Sequence, residues 1–220
     1  MASTDGVPAS AALAGQARGG TPRAALTELL AGNRRFVSGQ PMHGHDVSAA
    51  AATASGDQQP YAVVLGCIDS RVPLEAIFDQ TFGSICVIRT GAHVLDRAVL
   101  GSIEYVVEVL GVPLVMVLGH ERCGAVRATV DSLRADRRPQ GALAHLVDRI
   151  APAVVEVGVD DPQVLPVAVR RHVARTVTAL RADPRLAPQV AAGRVAVAGA
   201  LYDLVSGEVA LLDPPETGIA

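Results

Sequence analysis

Tryptophan is absent, and aromatic residues make up only 3% of the 220-residue chain. A core must therefore be packed from Val, Leu, Ile and Ala, side chains that suit a buried parallel sheet covered by helices. Positive charge is not in surplus: 19 Lys and Arg stand against 22 Asp and Glu, a formal net charge of -3, and the basic residues are scattered. Without a basic field, nucleic acid and anionic membranes are not expected as partners. No apolar run approaches the roughly 18 to 20 residues needed to cross a bilayer. The opening stretch MASTDGVPASAALAGQARGG also lacks the basic start and continuous apolar segment of a secretion signal, so a cytoplasmic location is the expectation. Cysteines are few and odd in number, three in all. That disfavours a disulfide framework and favours metal or catalytic use.

Half of the residues are hydrophobic, enough for one well-buried domain, expected over residues 21–213. Residues 1–20, almost devoid of large apolar side chains, are expected to be a disordered N-terminal segment, and 214–220 a tail. Thr21 and Pro22 read as an N-cap and first helical residue of an N-terminal helical arm reaching about Ser38. A connecting segment, Pro41 to Gln59, holds at most a short helix. YAVVLGC (61–67) and SICVIRT (84–90) read as buried strands, with a short helix from Pro73 to Gln80 between them. Asp96 caps a longer helix that Gly111 and Pro113 end, and PLVMVLGH (113–120) is a third strand. Helical sequence follows Cys123 to about Leu133. After a break at ADRRPQG it continues from Ala142 to Leu180, with interruptions expected near Pro162 and Pro166. VAVAGALYDL and EVALLD close the chain as an edge hairpin. The fold class is α/β: a mostly parallel open sheet of four to five strands, an antiparallel edge strand and helices on both faces.

Two short motifs carry chemistry. Cys67-Ile68-Asp69-Ser70-Arg71 begins where the first strand leaves the sheet, and His120-Glu121-Arg122-Cys123 begins at the same end of the third. In open α/β sheets, ligands gather outside the carboxyl ends of strands where strand order reverses. Cys67, His120 and Cys123 form a set suited to zinc, and three protein ligands leave a tetrahedral position for water. A Cys at a strand end is alone more often a small core residue, and HxxC alone occurs by chance. The pair on matching strand ends is the signal.

CIDSR and HERCG resemble the CxDSR and HxxCG motifs of the β-class carbonic anhydrases, and the similarity extends through LLAGNRRF, VIRTGAH and GSIEYVVEVLGVPLVMVLGH. The resemblance covers most of the chain from about Ala24 to Tyr202. It implies one zinc ion per chain held by Cys67, His120 and Cys123, and a catalytic dyad of Asp69 and Arg71. The implied reaction is reversible hydration of carbon dioxide to bicarbonate and a proton, by zinc-bound hydroxide attack. Two thiolates already neutralise a divalent zinc, so a neighbouring carboxylate is needed to orient the nucleophile, and Arg71 can hold that carboxylate off the metal. Family members also show a closed state in which the Asp becomes the fourth ligand, so Asp69 is a candidate for both roles.

The resemblance further implies substrate contacts at Gln58 (or its neighbour Gln59), often made across a dimer interface, and at the cleft position of Tyr105. Gly124, first in a helix, offers backbone N–H groups to bicarbonate. The family forms homodimers, sometimes paired into tetramers. Two positions depart from the pattern: Cys86 replaces a cleft Phe, and Val64 replaces the Trp of a non-catalytic bicarbonate site whose Arg and Tyr remain as Arg89 and Tyr202. That inhibitory site is expected to be absent. Of the other histidines, His43 and His45 read as solvated, His93 as near the cleft, and His145 and His172 as ordinary packing or surface residues. Competing readings are a carbonyl sulfide or carbon disulfide hydrolase on the same scaffold, and a non-catalytic zinc or anion-binding protein. A redox role for Cys67 and Cys123 is poor because no CxxC is present.

Overall fold

A computed structural model describes residues 20–43, 47–54 and 58–212. The expectations for residues 1–19, His45 and the 214–220 tail lie outside the described residues. Helix α1 (Pro22–Val37) starts as its sequence dictates: the Thr21 side chain accepts the Ala24 N–H at 3.2 Å and Pro22 opens the first turn. After α2 (Val47–Thr53) come β1 (Ala62–Cys67), α3 (Leu74–Ile77) and β2 (Ile85–Thr90). Then follow α4 (Arg97–Glu108), capped by Asp96 through the Val99 N–H, and β3 (Leu114–His120). Helices α5 (Gly124–Arg134), α6 (Leu143–Val155), α7 (Val164–Arg181) and α8 (Ala187–Ala191) lead to β4 (Ala196–Tyr202) and β5 (Val209–Leu211).

The sheet order is β2-β1-β3-β4-β5, parallel except for the antiparallel β4–β5 hairpin. From β1 the chain first builds outward to β2, then returns to the other side of β1 for β3. Strand order thus reverses between β1 and β3, which opens a crevice at their carboxyl ends.

Alternating strand residues feed two cores. Val63, Leu65, Val115, Val117, Val197 and Leu201 pack under α4 to α7, whereas Val64, Leu114, Met116, Leu118 and Ala198 pack under α1 and α3. Strand β1 is buried throughout, but β2 is only half-buried because it stands at the sheet edge, contrary to its reading as a buried strand. The helix after Pro73 is shorter than expected. Pro73 is its cap rather than its first residue, and the chain leaves the helix at Phe78, ahead of a left-handed Asp79 (φ 46°). Pro166 does not interrupt a helix either; it sits in the first turn of α7, where no intrahelical N–H is required. The ADRRPQG break is real, with Asp136 and Gly141 both at positive φ. Among the described residues, no helix is long and apolar enough to cross a membrane.

Glycine precedes a motif residue on each crevice strand, Gly66 before Cys67 and Gly119 before His120. A Cβ on Gly119 would lie 2.6 Å from Cγ2 of Val173 and 3.0 Å from Leu201, so α7 packs directly on this bare backbone. Gly119→Ala is expected to destabilise the fold by about 1–3 kcal/mol through overpacking. Urea unfolding measures this, as a lower midpoint at unchanged slope.

Candidate metal centre

Cys67 ends β1, His120 ends β3, and Cys123 stands at the N-cap of α5 after a two-residue turn in which Arg122 adopts φ 54°. The three side chains are buried, and their donor atoms all lie within 4.8 Å of one another. The two sulfurs are 3.9 Å apart. Two ligands of a tetrahedral zinc at about 2.3 Å each would stand roughly 3.8 Å apart, so the spacing fits that ion.

His120 is prepared as a donor by its neighbour. Its Nδ1 lies 2.9 Å from the Glu121 carbonyl. A carbonyl can only accept, so Nδ1 carries the proton and the Nε2 lone pair is left free. That Nε2 is buried without a hydrogen-bond partner, an arrangement that is costly unless a cation completes it.

Backbone N–H groups meet both sulfurs, a contact that favours the thiolate form. Backbone N–H groups of Ala125 and Val126, in the first turn of α5, face Cys123, while those of Asp69 and Ala92 face Cys67, the latter at 3.4 Å. The thiols titrate as a pair. The hydrogen bond from Cys123, with help from His120 and the backbone, draws Cys67 down to about 4. Cys123 is pushed up, first by holding the shared proton and then by burial.

Asp69 stands beside this cluster, with Oδ2 4.0 Å from His120 Nε2. Its carboxylate is turned to Arg71, which donates to it from Nε at 2.9 Å, from a terminal guanidinium nitrogen at 2.7 Å and from the backbone N–H at 3.0 Å. The side-chain pairing with Arg71 is the main cause holding this carboxyl below the usual carboxylate range. Sequence reasoning missed the support beneath the loop. Arg89 reaches from β2 to donate to the carbonyls of Cys67 (2.9 Å) and Asp69 (2.7 Å). Its charge and its place on the strand beside Cys67 were the available signals.

The other candidates separate into two groups. Gly124 is exposed at the first position of α5, next to Cys123, with nothing within 4 Å of a would-be Cβ. Gln58 and Gln59 are exposed before the amino end of β1, the end opposite Cys67, and six strand residues at about 3.3 Å each separate them from the cluster. Tyr105, half-exposed rather than core, lines an open cavity of about 500 Å³ with Cys86, whose register partner Val63 lies early in β1. The structure therefore does not bring Gln58 or Tyr105 to the donor cluster of their own chain. His43 is half-buried near Asp79, with Nδ1 3.6 Å from the carboxylate. His93 and His172 are both buried and stacked at 4.6 Å, so His172 is no ordinary surface residue.

Residues 62–209 match the family model for carbonic anhydrase. Carbonic anhydrase 2 of Mycobacterium tuberculosis is 44% identical over 194 residues, covering 87% of this chain and 93% of that protein. The carbonic anhydrase of Mycolicibacterium smegmatis is 43% identical over 197 residues, covering 86% and 93%. Two solved structures share the fold at lower identity. A Coccomyxa β-carbonic anhydrase in complex with acetazolamide matches at 24% identity and TM-score 0.68, over 88% of each chain. A tetrameric β-carbonic anhydrase of Sordaria macrospora matches at 21% and 0.68, over 86% of this chain and 97% of that one.

The Asp69–Arg71 pairing has a direct readout. A carboxyl with a depressed pKa stabilises the fold above its unfolded value, and that contribution is lost as pH falls through the folded value. Arg71→Ala is expected to move the Asp69 titration up toward the ordinary carboxylate range, seen by carbon-13 NMR of the carboxyl group, and so to leave less stability to be lost on acidification.

Proposed function

Since the chain belongs to the β-class carbonic anhydrases, we propose that it hydrates carbon dioxide at zinc held by Cys67, His120 and Cys123, with Asp69 and Arg71 as the catalytic dyad. One observation carries this reading: three buried donors converge within 4.8 Å, one of them an orphaned imidazole nitrogen, and a carboxylate stands 4.0 Å away. Zinc, when bound there, supplies the Lewis acidity that makes water a nucleophile near neutral pH.

The remaining work falls to the chain. Asp69, ionised because Arg71 holds it, accepts a hydrogen bond from the attacking water and turns its lone pair toward the carbon of carbon dioxide. The same Arg71 grip keeps the carboxylate from taking a ligand position itself. Arg89 fixes the backbone on both sides of Ile68 and so sets where Asp69 starts. Bicarbonate forms as the carbon–oxygen bond closes, and the water's proton passes to solvent buffer. The Gly124 N–H at the start of α5, the one in that turn not directed at Cys123, offers an anion contact for the product before it leaves.

Gln58 and Tyr105, remote from their own crevice, serve substrate only if a second copy brings them to the neighbouring one. A homodimer, alone or paired into a tetramer, is the assembly that does so. Inhibition by bicarbonate at a second site is not part of this reading. Val64 is fully buried under α1 and α3, and Arg89 is committed to two loop carbonyls.

Stopped-flow carbon dioxide hydration, with zinc measured on the same samples, tests the proposal. Wild type is expected to carry about one zinc per chain and to be active. Asp69→Asn should keep the zinc and lose about 100-fold or more in rate, whereas His120→Ala should lose the metal. Full zinc without hydration in wild type would sink the reading. Rate measured against added bicarbonate is expected to fall without cooperativity; a sigmoidal fall would restore the second site.

A further inference from the structure

We infer that His172 is a positioning residue for the metal ligand Cys67, acting through the backbone of Ala92. The inference rests on Cys67 being a metal ligand, as proposed above, and concerns what holds its sulfur in place.

Between β2 and α4 the chain makes a tight buried turn, Gly91–His93, against Cys67. Ala92 (φ 49°, ψ 41°) and His93 (φ 47°) occupy the left-handed region in succession. A non-glycine residue is disfavoured there by its Cβ, so two in a row persist only where the surroundings hold them. One side chain holds both. His172, on α7, places Nε2 3.0 Å from the Ala92 carbonyl and stacks its ring on that of His93 at a 23° interplanar angle. Thr90 closes the far side of the turn, its hydroxyl donating to the Val94 carbonyl at 3.0 Å.

The carbonyl at Ala92 can only accept, so Nε2 carries the proton of a neutral imidazole. Burial, with Arg175 and Arg149 nearby, keeps the ring neutral by lowering its pKa to about 4, against the opposing hydrogen bond to Ala92. These arginines, with Asp148, line the cleft on the outer side of His172. From the amide of the same Ala92, the N–H points at Cys67 Sγ, 3.4 Å away. A continuous path therefore runs from α7 through one residue to the thiolate: imidazole N–H to carbonyl, then amide N–H to sulfur.

An N–H aimed at a thiolate withdraws electron density from it, so the sulfur donates less to a metal and leaves that metal a stronger Lewis acid. The carbonyl held by His172 and the N–H that meets Cys67 belong to the two successive peptides joined at the Ala92 Cα, so losing the His172 donor lets the strained φ and ψ of Ala92 relax, carries the N–H off the sulfur and leaves that sulfur the more electron-rich. Three histidines of the chain thus play different parts: His120 as donor, His93 as packing, His172 as the brace.

Cobalt(II) loaded into the wild-type protein, His172→Leu and His172→Gln tests this through the thiolate-to-cobalt charge-transfer band. In His172→Leu the band should move to lower energy. In His172→Gln, whose amide can still donate to Ala92, the band should return toward wild type. An unshifted band in a folded His172→Leu, or a Gln variant no better than Leu, overturns the inference. If wild type itself shows no such band, it is the metal reading that fails. Should His172→Leu not fold, His172→Asn, too short to reach the carbonyl, replaces it in the comparison with His172→Gln.

Discussion

Two sulfur atoms held 3.9 Å apart in a buried crevice are the constraint that the rest of this molecule answers. Neutral thiols could pack there as small apolar groups, but as thiolates they repel each other and face a desolvation cost. Everything adjacent reduces that cost. The first turn of α5 turns N–H groups on one sulfur, the turns after β1 and β2 turn N–H groups on the other, and the His120 nitrogen completes a set that wants a cation. The arrangement is poised for charge of the opposite sign and is at its least favourable when none arrives.

Much of this was legible in the sequence, because the same residues that carry chemistry also terminate strands. Cys67 and His120 each end an apolar run, and the reversal of strand order between β1 and β3 brings those ends together. Capping by Thr21 and Asp96 was equally local, since an N-cap is decided by the few residues that follow it. The edge hairpin was readable for the same reason, a turn between two apolar runs.

What could not be read depends on neighbours distant in the chain. The run at 84–90 has a buried strand's composition, yet it is half-exposed because no further strand flanks it. Arg89 carried only its charge and its strand position as signals, neither of which says that its guanidinium would bridge two carbonyls of the preceding strand's loop. His172 lies 80 residues from the carbonyl it meets, and no periodicity within α7 distinguishes it from a packing residue. Gln58 and Tyr105 could be marked by resemblance, but only the fold reveals that they lie toward the end of the sheet away from Cys67.

The register of β1 with β3 bears on how the molecule comes into being. These parallel neighbours are joined through α3, β2 and α4, so their pairing is a non-local event that waits on the intervening crossovers. Until it happens, Cys67 is not beside the other two donors, which are themselves only three residues apart. An incompletely assembled chain therefore presents at most a fragment of a chelate. Completion of the three-donor set becomes a late step of folding, withheld from chains whose central sheet is wrong.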